Sequence, residues 1–197
     1  MIEYLANLML YVQTTIANSL DYFGALTLLL FVLLLINQLS GGLLSIFGII
    51  PRKLWGIQGI FFAPFIHASF DHFFFNLIPL FVLSVMLMLY GFDFYYQISV
   101  VLIIFSGSLI WLFARPGVHV GASALITAYW GFLVTDSLFK SNSILNIATG
   151  FICVYYFFGI FFGIFPSQKR VSWEGHLFGL IAGVITCLFY NISAVLK

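Results

Sequence analysis

The sequence predicts an all-α, polytopic membrane protein, and three observations carry that reading. Of 197 residues, 63% are hydrophobic and only 7% are charged, against about 25% charged in ordinary soluble domains. The mean hydropathy is +1.15, which leaves too little polar surface to coat a water-soluble particle. The apolar stretches are continuous, as from Leu26 to Ile36. A membrane β-barrel would instead show roughly ten-residue segments of alternating character.

A spanning helix needs about 20 apolar residues. On that rule six spans are expected, at about 21–44, 72–91, 94–113, 120–139, 144–165 and 174–196, within one domain covering 1–197. Residues 1–20 read as a separate interfacial helix, because Ile2, Leu5, Met9, Val12 and Ile16 repeat at helical spacing. Glu3 without nearby Lys or Arg gives no secretory signal. The stretch 45–70 is apolar but broken by Gly48, Pro51, Gly56, Gly59 and Pro64. Irregular backbone is not tolerated against lipid, so this first loop is expected at the interface, partly tucked against the protein. Pro79 falls inside the second span, where neighbouring helices can satisfy the freed carbonyl.

A net charge of +1 gives no support for nucleic-acid binding. Cys153 and Cys187 lie within expected spans and match neither a disulfide framework nor a zinc pattern. His-Glu-x-x-His is absent, and the spacing of His67, His72, His119 and His176 fits no standard ligand set. No metal site is therefore expected. Asp93 and Asp136 fall at the far ends of their spans, which argues against an aspartyl protease site.

Spans two, four and six each open with polar groups: His72 and Asn76, Ser123, and His176. Even-numbered spans enter from one face of a bilayer, so connectivity alone sets these groups at similar depth. Polar and ionisable groups are costly in lipid and point to function. His72 and Asn76 are four residues apart and share a helical face; they could donate to one oxygen, or simply bond neighbouring helices. Ser123, in Gly121-Ala-Ser123-Ala, stands where an N-cap serine would stand, but also where a helix N-terminus favours a developing oxyanion. His176, Gly179 and Gly183 line one face of the last span, and the two glycines allow close helix packing. A histidine drawn beside a serine can act as its general base. No carboxylate is placed to orient that imidazole, since Asp71 and Glu174, adjacent in sequence to histidines, read as interfacial charges. A Ser–His dyad is the expectation. His67 precedes its span and reads as a structural loop residue.

Together the segments Gly59-Ile-Phe-Phe-Ala-Pro-Phe-Ile-His67-Ala-Ser-Phe-Asp-His72-Phe-Phe-Phe-Asn76, Gly121-Ala-Ser123-Ala and Glu174-Gly-His176-Leu-Phe-Gly179-Leu-Ile-Ala-Gly183 resemble the rhomboid intramembrane serine proteases. The resemblance implies Ser123 as nucleophile and His176 as base. It implies an oxyanion site of His72, Asn76 and the Ser123 backbone N–H, with Gly121 and Gly179 allowing close approach. It further implies hydrolysis of transmembrane segments of other membrane proteins within the lipid bilayer, without metal or cofactor. Residues 151–165 and the loop 166–172 would move to admit substrate. Three features depart from the family pattern: Ala124 replaces the glycine after the serine, Thr127 replaces an aromatic that stacks on the base, and the first loop lacks a Trp-Arg pair. The alternatives are a rhomboid-like protein that binds membrane clients without cutting them, and a small transporter or channel.

Orientation is contested by two arguments. Arg52, Lys53, Arg115, Lys169 and Arg170 lie in loops on the Ser123 face, and only Lys140 and Lys197 on the other. The positive-inside rule sends the richer face to the cytoplasm. Resemblance to six-span bacterial relatives implies a multi-pass protein of the bacterial inner membrane with that face outside, and this is the expectation adopted.

Overall fold

A computed structural model describes residues 2–140, 143–165 and 172–195. In chain order the helices are α1 (Ile2–Leu39), α2 (Gly59–Phe62), α3 (Phe70–Met88), α4 (Phe92–Phe113), α5 (Ser123–Phe139), α6 (Ile144–Phe157), α7 (Gly159–Phe162) and α8 (Trp173–Val195). Among the described residues the only β-type pairing is the isolated bridge between Ile49 and His119. The protein is thus an all-α bundle, as its composition requires.

α1 corrects the expectation for the N-terminus. No break separates residues 2–20 from the first span; one helix of 38 residues runs to Leu39. At 1.5 Å per residue it is about 57 Å long, nearly twice the roughly 30 Å hydrocarbon core. It lies antiparallel to α3. Tyr11 Oη donates to the Leu89 carbonyl just past the end of α3, and Asn37 Nδ2 donates to the His67 carbonyl just before its start. Before Tyr11 the side chains of Ile2, Tyr4, Leu5, Met9 and Leu10 are exposed.

α1, α3, α4 and the stretch Trp173–Ile192 of α8 are each long and apolar enough to cross a membrane. α5 and α6 are shorter, with 17 and 14 residues. The shortness of α5 has a physical reason. It packs against α3, α4, α6 and α8, and every residue from Leu125 to Leu133 is buried. Protein, not lipid, surrounds it, so its ends need not match the bilayer. The expected fifth span, 144–165, is likewise not one helix: α6 stops at Phe157 and a separate turn, α7, follows.

The first loop is built into the protein. Arg52, at φ 58°, donates from Nη1 to the carbonyls of Leu112 and Ala114, a cation satisfying the orphan acceptors at a helix C-terminus. Trp111 Nε1 returns a bond to the Lys53 carbonyl. Gly59 lies directly on the backbone of Gly48, and Gly107 of α4 on Ile60.

Asp136 closes the other end of the bundle. Fully buried, it accepts from Tyr90 Oη at 2.7 Å, from Asn191 Nδ2 at 3.0 Å and from Asn146 Nδ2 at 3.4 Å. It also pairs with Lys140 Nζ at 2.9 Å. The Lys140 ammonium rests over the rings of Tyr90 and Tyr190. Three separate parts of the chain, together with the end of α5 itself, therefore converge on one carboxylate. Breaking a buried ion pair by removing one partner costs roughly 3–5 kcal/mol. Asp136→Ala should lower the unfolding free energy in detergent by about 3 kcal/mol or more, while Asp93→Ala, at an exposed site, should stay within about 0.5 kcal/mol of wild type.

Candidate active site

Ser123 is the first residue of α5, after Ala122 at the cap position. The first N–H groups of a helix have no intrahelical partner, so the Ser123 amide, unpaired among the described residues, stands at the positive end of the helix dipole. The turn into it is held from the side by the Gly121 N–H, which donates to the Ala63 carbonyl at 2.9 Å. Gly121 takes φ 108°, a conformation that strains any residue with a Cβ.

His72 comes to this turn from α3. The helix is started by Ser69, whose Oγ accepts the His72 N–H at 3.1 Å, an N-cap arrangement. The Cε1–Nε2 edge of the His72 ring then lies against Gly121, so closely that a Cβ there would overlap both atoms. One turn further along α3, Asn76 is 8% exposed, and its Nδ2 has no hydrogen-bond partner among the described residues.

His176 arrives on α8, which runs parallel to α5 at backbone contact. A Cβ on Gly179 would strike the Ala124 carbonyl and Thr127 Oγ1, and one on Gly183 the Ala128 carbonyl. From the other side, Gly131 of α5 lies on the backbone of Leu180. The expected small-residue face is therefore the α5–α8 seam. Gly175, next to His176, would bring a Cβ to 4.0 Å from the Ala124 methyl, which sets His176 alongside the start of α5. Its Nδ1 is buried, unpartnered among the described residues, and turned against Gly163. No hydrogen bond joins Ser123 Oγ to His176 among the described residues in this conformation.

Several residues stand where spacing alone gave no reason to look. Thr127, in place of an aromatic, bonds back to the carbonyls of Ser123 and Ala124, both at 3.0 Å, and lies under Gly179. Glu174 is not an interfacial charge: it is 3% exposed and meets Arg115 Nε at 2.7 Å. His119 bonds to Ser172, and Gly163 covers the imidazole of His176. The single sequence signal for His119 was a polar side chain four residues before Ser123. A cavity of about 30 Å³, lined in part by Ser106, His119, Gly121, Ser123, Ser172 and Gly175, has room for one or two waters. Most of the loop expected at 166–172, with Lys169 and Arg170, lies outside the described residues.

His67 is in the loop ahead of α3. It is 1% exposed, and its ring meets those of His72 and Phe73 edge-on. Burial, with repulsion from His72 adding to it, pushes its pKa from 6.5 down to about 4.

These helices and this cluster define a multi-pass integral membrane protein with a polar site sunk between three helix N-termini. A rhomboid domain model matches residues 51–192. Proteins described only as uncharacterized are 36% identical over 185 residues in Mycobacterium bovis and Mycobacterium tuberculosis, covering 87% of this chain and 76% of theirs. One in Mycobacterium leprae is 35% identical, covering 87% and 72%. The chain belongs to the rhomboid family, and these relatives are bacterial.

Two outcomes follow from the packing. Gly179→Val should cost roughly 1–3 kcal/mol or more, because the backbone of α5 must retreat, whereas Gly24→Ala, with open space around it, should be neutral or gain up to about 1 kcal/mol of helix propensity. Thermal melts in detergent distinguish them. For His67 the folded pKa lies below the unfolded one, so the unfolded chain binds more protons as the pH falls. Its contribution to stability is complete above about pH 6.5 and is lost as pH drops toward 4. His67→Phe keeps the ring packing without the titration, and its melting temperature should fall less between pH 7 and pH 5 than that of wild type.

Proposed function

We propose that this rhomboid is an intramembrane serine endopeptidase that cleaves transmembrane segments of other membrane proteins with a Ser123–His176 dyad. One observation carries the reading. The glycines of α8 hold it at backbone contact with α5, so the first turn of α8, which carries the imidazole, runs alongside the start of α5, which carries the hydroxyl. Neither is replaced in this chain.

Ser123 Oγ attacks the scissile carbonyl carbon while His176 takes the hydroxyl proton. The imidazole would act through Nε2, because Nδ1 is turned into the protein against Gly163. The carbonyl oxygen, now negative, is met by the Ser123 N–H, the Asn76 amide and the His72 ring. Each such donor is worth about 10²–10³ in rate. Collapse of the adduct expels the new amine, which takes the proton from His176 and leaves an acyl-serine. A water, for which the adjoining cavity has room, then gives its proton to His176 and attacks the ester; the Oγ–acyl bond breaks, the new C-terminal carboxylate leaves, and Ser123 Oγ takes the proton back from His176. No part of this sequence calls on a metal or a cofactor.

Substrate entry would fall to α6 and α7. α6 is fixed at its start by Asn146 on Asp136 and at mid-length by Trp130 Nε1 on the Cys153 carbonyl at 2.8 Å. Beyond the break at Phe158, Gly163, the residue after α7, lies against His176. Displacing that turn would uncover the base while the start of α6 stays anchored.

A second reading, a client-binding protein without protease activity, draws on Ala124 and Thr127. A fluorophosphonate probe decides between them. Wild type should be labelled at Ser123 and should cut a transmembrane substrate in liposomes. Ser123→Ala and His176→Ala should each be inactive but folded, and Asn76→Ala should lose about 10²-fold, retaining two donors. Unlabelled wild type, or Ser123→Ala with full activity, would refute the assignment.

A further inference from the structure

The loop between α4 and α5 does more than deliver Ser123. The backbone of His119 is fixed on both sides by the bridge to the first loop: its N–H donates to the Ile49 carbonyl and its carbonyl accepts the Ile49 N–H, each at 2.9 Å. The position of its side chain is thereby set. Ring Nε2 lies 3.1 Å from the Arg115 carbonyl, and Nδ1 lies 2.7 Å from Ser172 Oγ.

Donor and acceptor roles follow from the chemistry of the partners. A carbonyl can only accept, so Nε2 carries the proton. In the neutral ring Nδ1 then has a lone pair, and the Ser172 hydroxyl donates to it. The lone pairs of Ser172 Oγ are left to accept the Gly175 N–H, at 3.2 Å. Ser172 directly precedes Trp173, the first residue of α8, and this is an N-cap. The relay runs without a gap from the Arg115 carbonyl through His119 and Ser172 to Gly175, the residue before His176. Arg115 reaches the same turn a second time, because its guanidinium meets the buried carboxylate of Glu174.

We infer that His119 is a positioning residue, which through Ser172 fixes the first turn of α8 and hence the aim of the His176 imidazole at Ser123; this rests on the proposed dyad. One nine-residue connection, 114–122, would then set both halves of the dyad. It presents the hydroxyl at its own end and clasps the helix that carries the base. Arg115 and Glu174 form the second jaw of the clasp.

The test separates the hydrogen bond from mere space-filling. The asparagine amide superposes on the Nδ1 side of a histidine ring and can keep the bond to Ser172. The glutamine amide reaches the Nε2 position and can keep only the bond to the Arg115 carbonyl, although glutamine is nearer to histidine in volume. Full-length His119→Asn, His119→Gln and His119→Ala are assayed in liposomes against a transmembrane substrate, with fluorophosphonate labelling and melting temperature measured in parallel. His119→Asn should keep kcat within about threefold of wild type. His119→Gln and His119→Ala should lose tenfold or more in kcat and in labelling rate, with KM within about twofold and little change in melting temperature. Glutamine equal to or better than asparagine, a loss confined to KM, or unchanged kcat in all three would overturn the inference while leaving the dyad intact. Unlabelled, inactive wild type would overturn the dyad, and the inference with it.

Discussion

The seam between α5 and α8 is the constraint on which the rest of this protein depends. In a membrane, helices gain little from excluding water, and association relies on close packing and hydrogen bonding. Gly131, Gly179 and Gly183 remove the side chains that would hold the two backbones apart. The carbonyls of Ala124 and Ala128 occupy the space that α8 gives up. A helix pair at that separation sets the first turn of α8, which carries His176, alongside the start of α5, which carries Ser123. The same closeness accounts for Thr127, since a larger ring there would compete with the backbone of Gly179 for space.

The two ends of the seam are treated differently. At the end away from Ser123, Asp136 gathers Tyr90, Lys140, Asn146 and Asn191, so that end is closed by charge and hydrogen bonds. At the Ser123 end the groups are polar yet sparsely paired. Asn76 Nδ2, His176 Nδ1 and Glu174 Oε2 are all buried with no partner among the described residues. Buried polar groups are nearly always paired, and unpaired ones are tolerated where a substrate supplies the missing partner or where strain has a use. One end of the seam is thus a closed anchor, while the other keeps buried donor and acceptor groups without partners among the described residues.

The first loop and the α4–α5 loop make this open end rigid without filling it. Arg52 and Trp111 tie the first loop to the end of α4, the Ile49–His119 bridge ties it to the α4–α5 loop, and the Ala63 carbonyl holds Gly121. Two of the cations on this face, Arg52 and Arg115, are engaged in contacts within the protein. The donors around Ser123 are therefore carried on a braced scaffold, which electrostatic stabilisation of a developing charge requires.

The sequence by itself determined the class of fold and the cluster of candidate residues. Composition forces apolar helices, and the placing of His72, Asn76, Ser123 and His176 at the heads of alternate helices is a matter of connectivity and needs no tertiary detail. The role of Gly179 and Gly183 was also legible, because a small-residue stripe on one helical face has one common use. Tertiary structure alone decided the rest. That α1 continues unbroken through residues 2–20 is seen only in the structure, because a helical repeat in sequence does not say where a helix stops. That α5 is short and α6 breaks at Phe158 depends on which helix faces lipid and which faces protein. Glu174, read as a surface charge, is buried because Arg115, fifty-nine positions earlier in the chain, folds against it. His119 and Ser172 likewise have no local pattern to betray them. Their bond exists only because two loops distant in sequence are brought together by the helices between them.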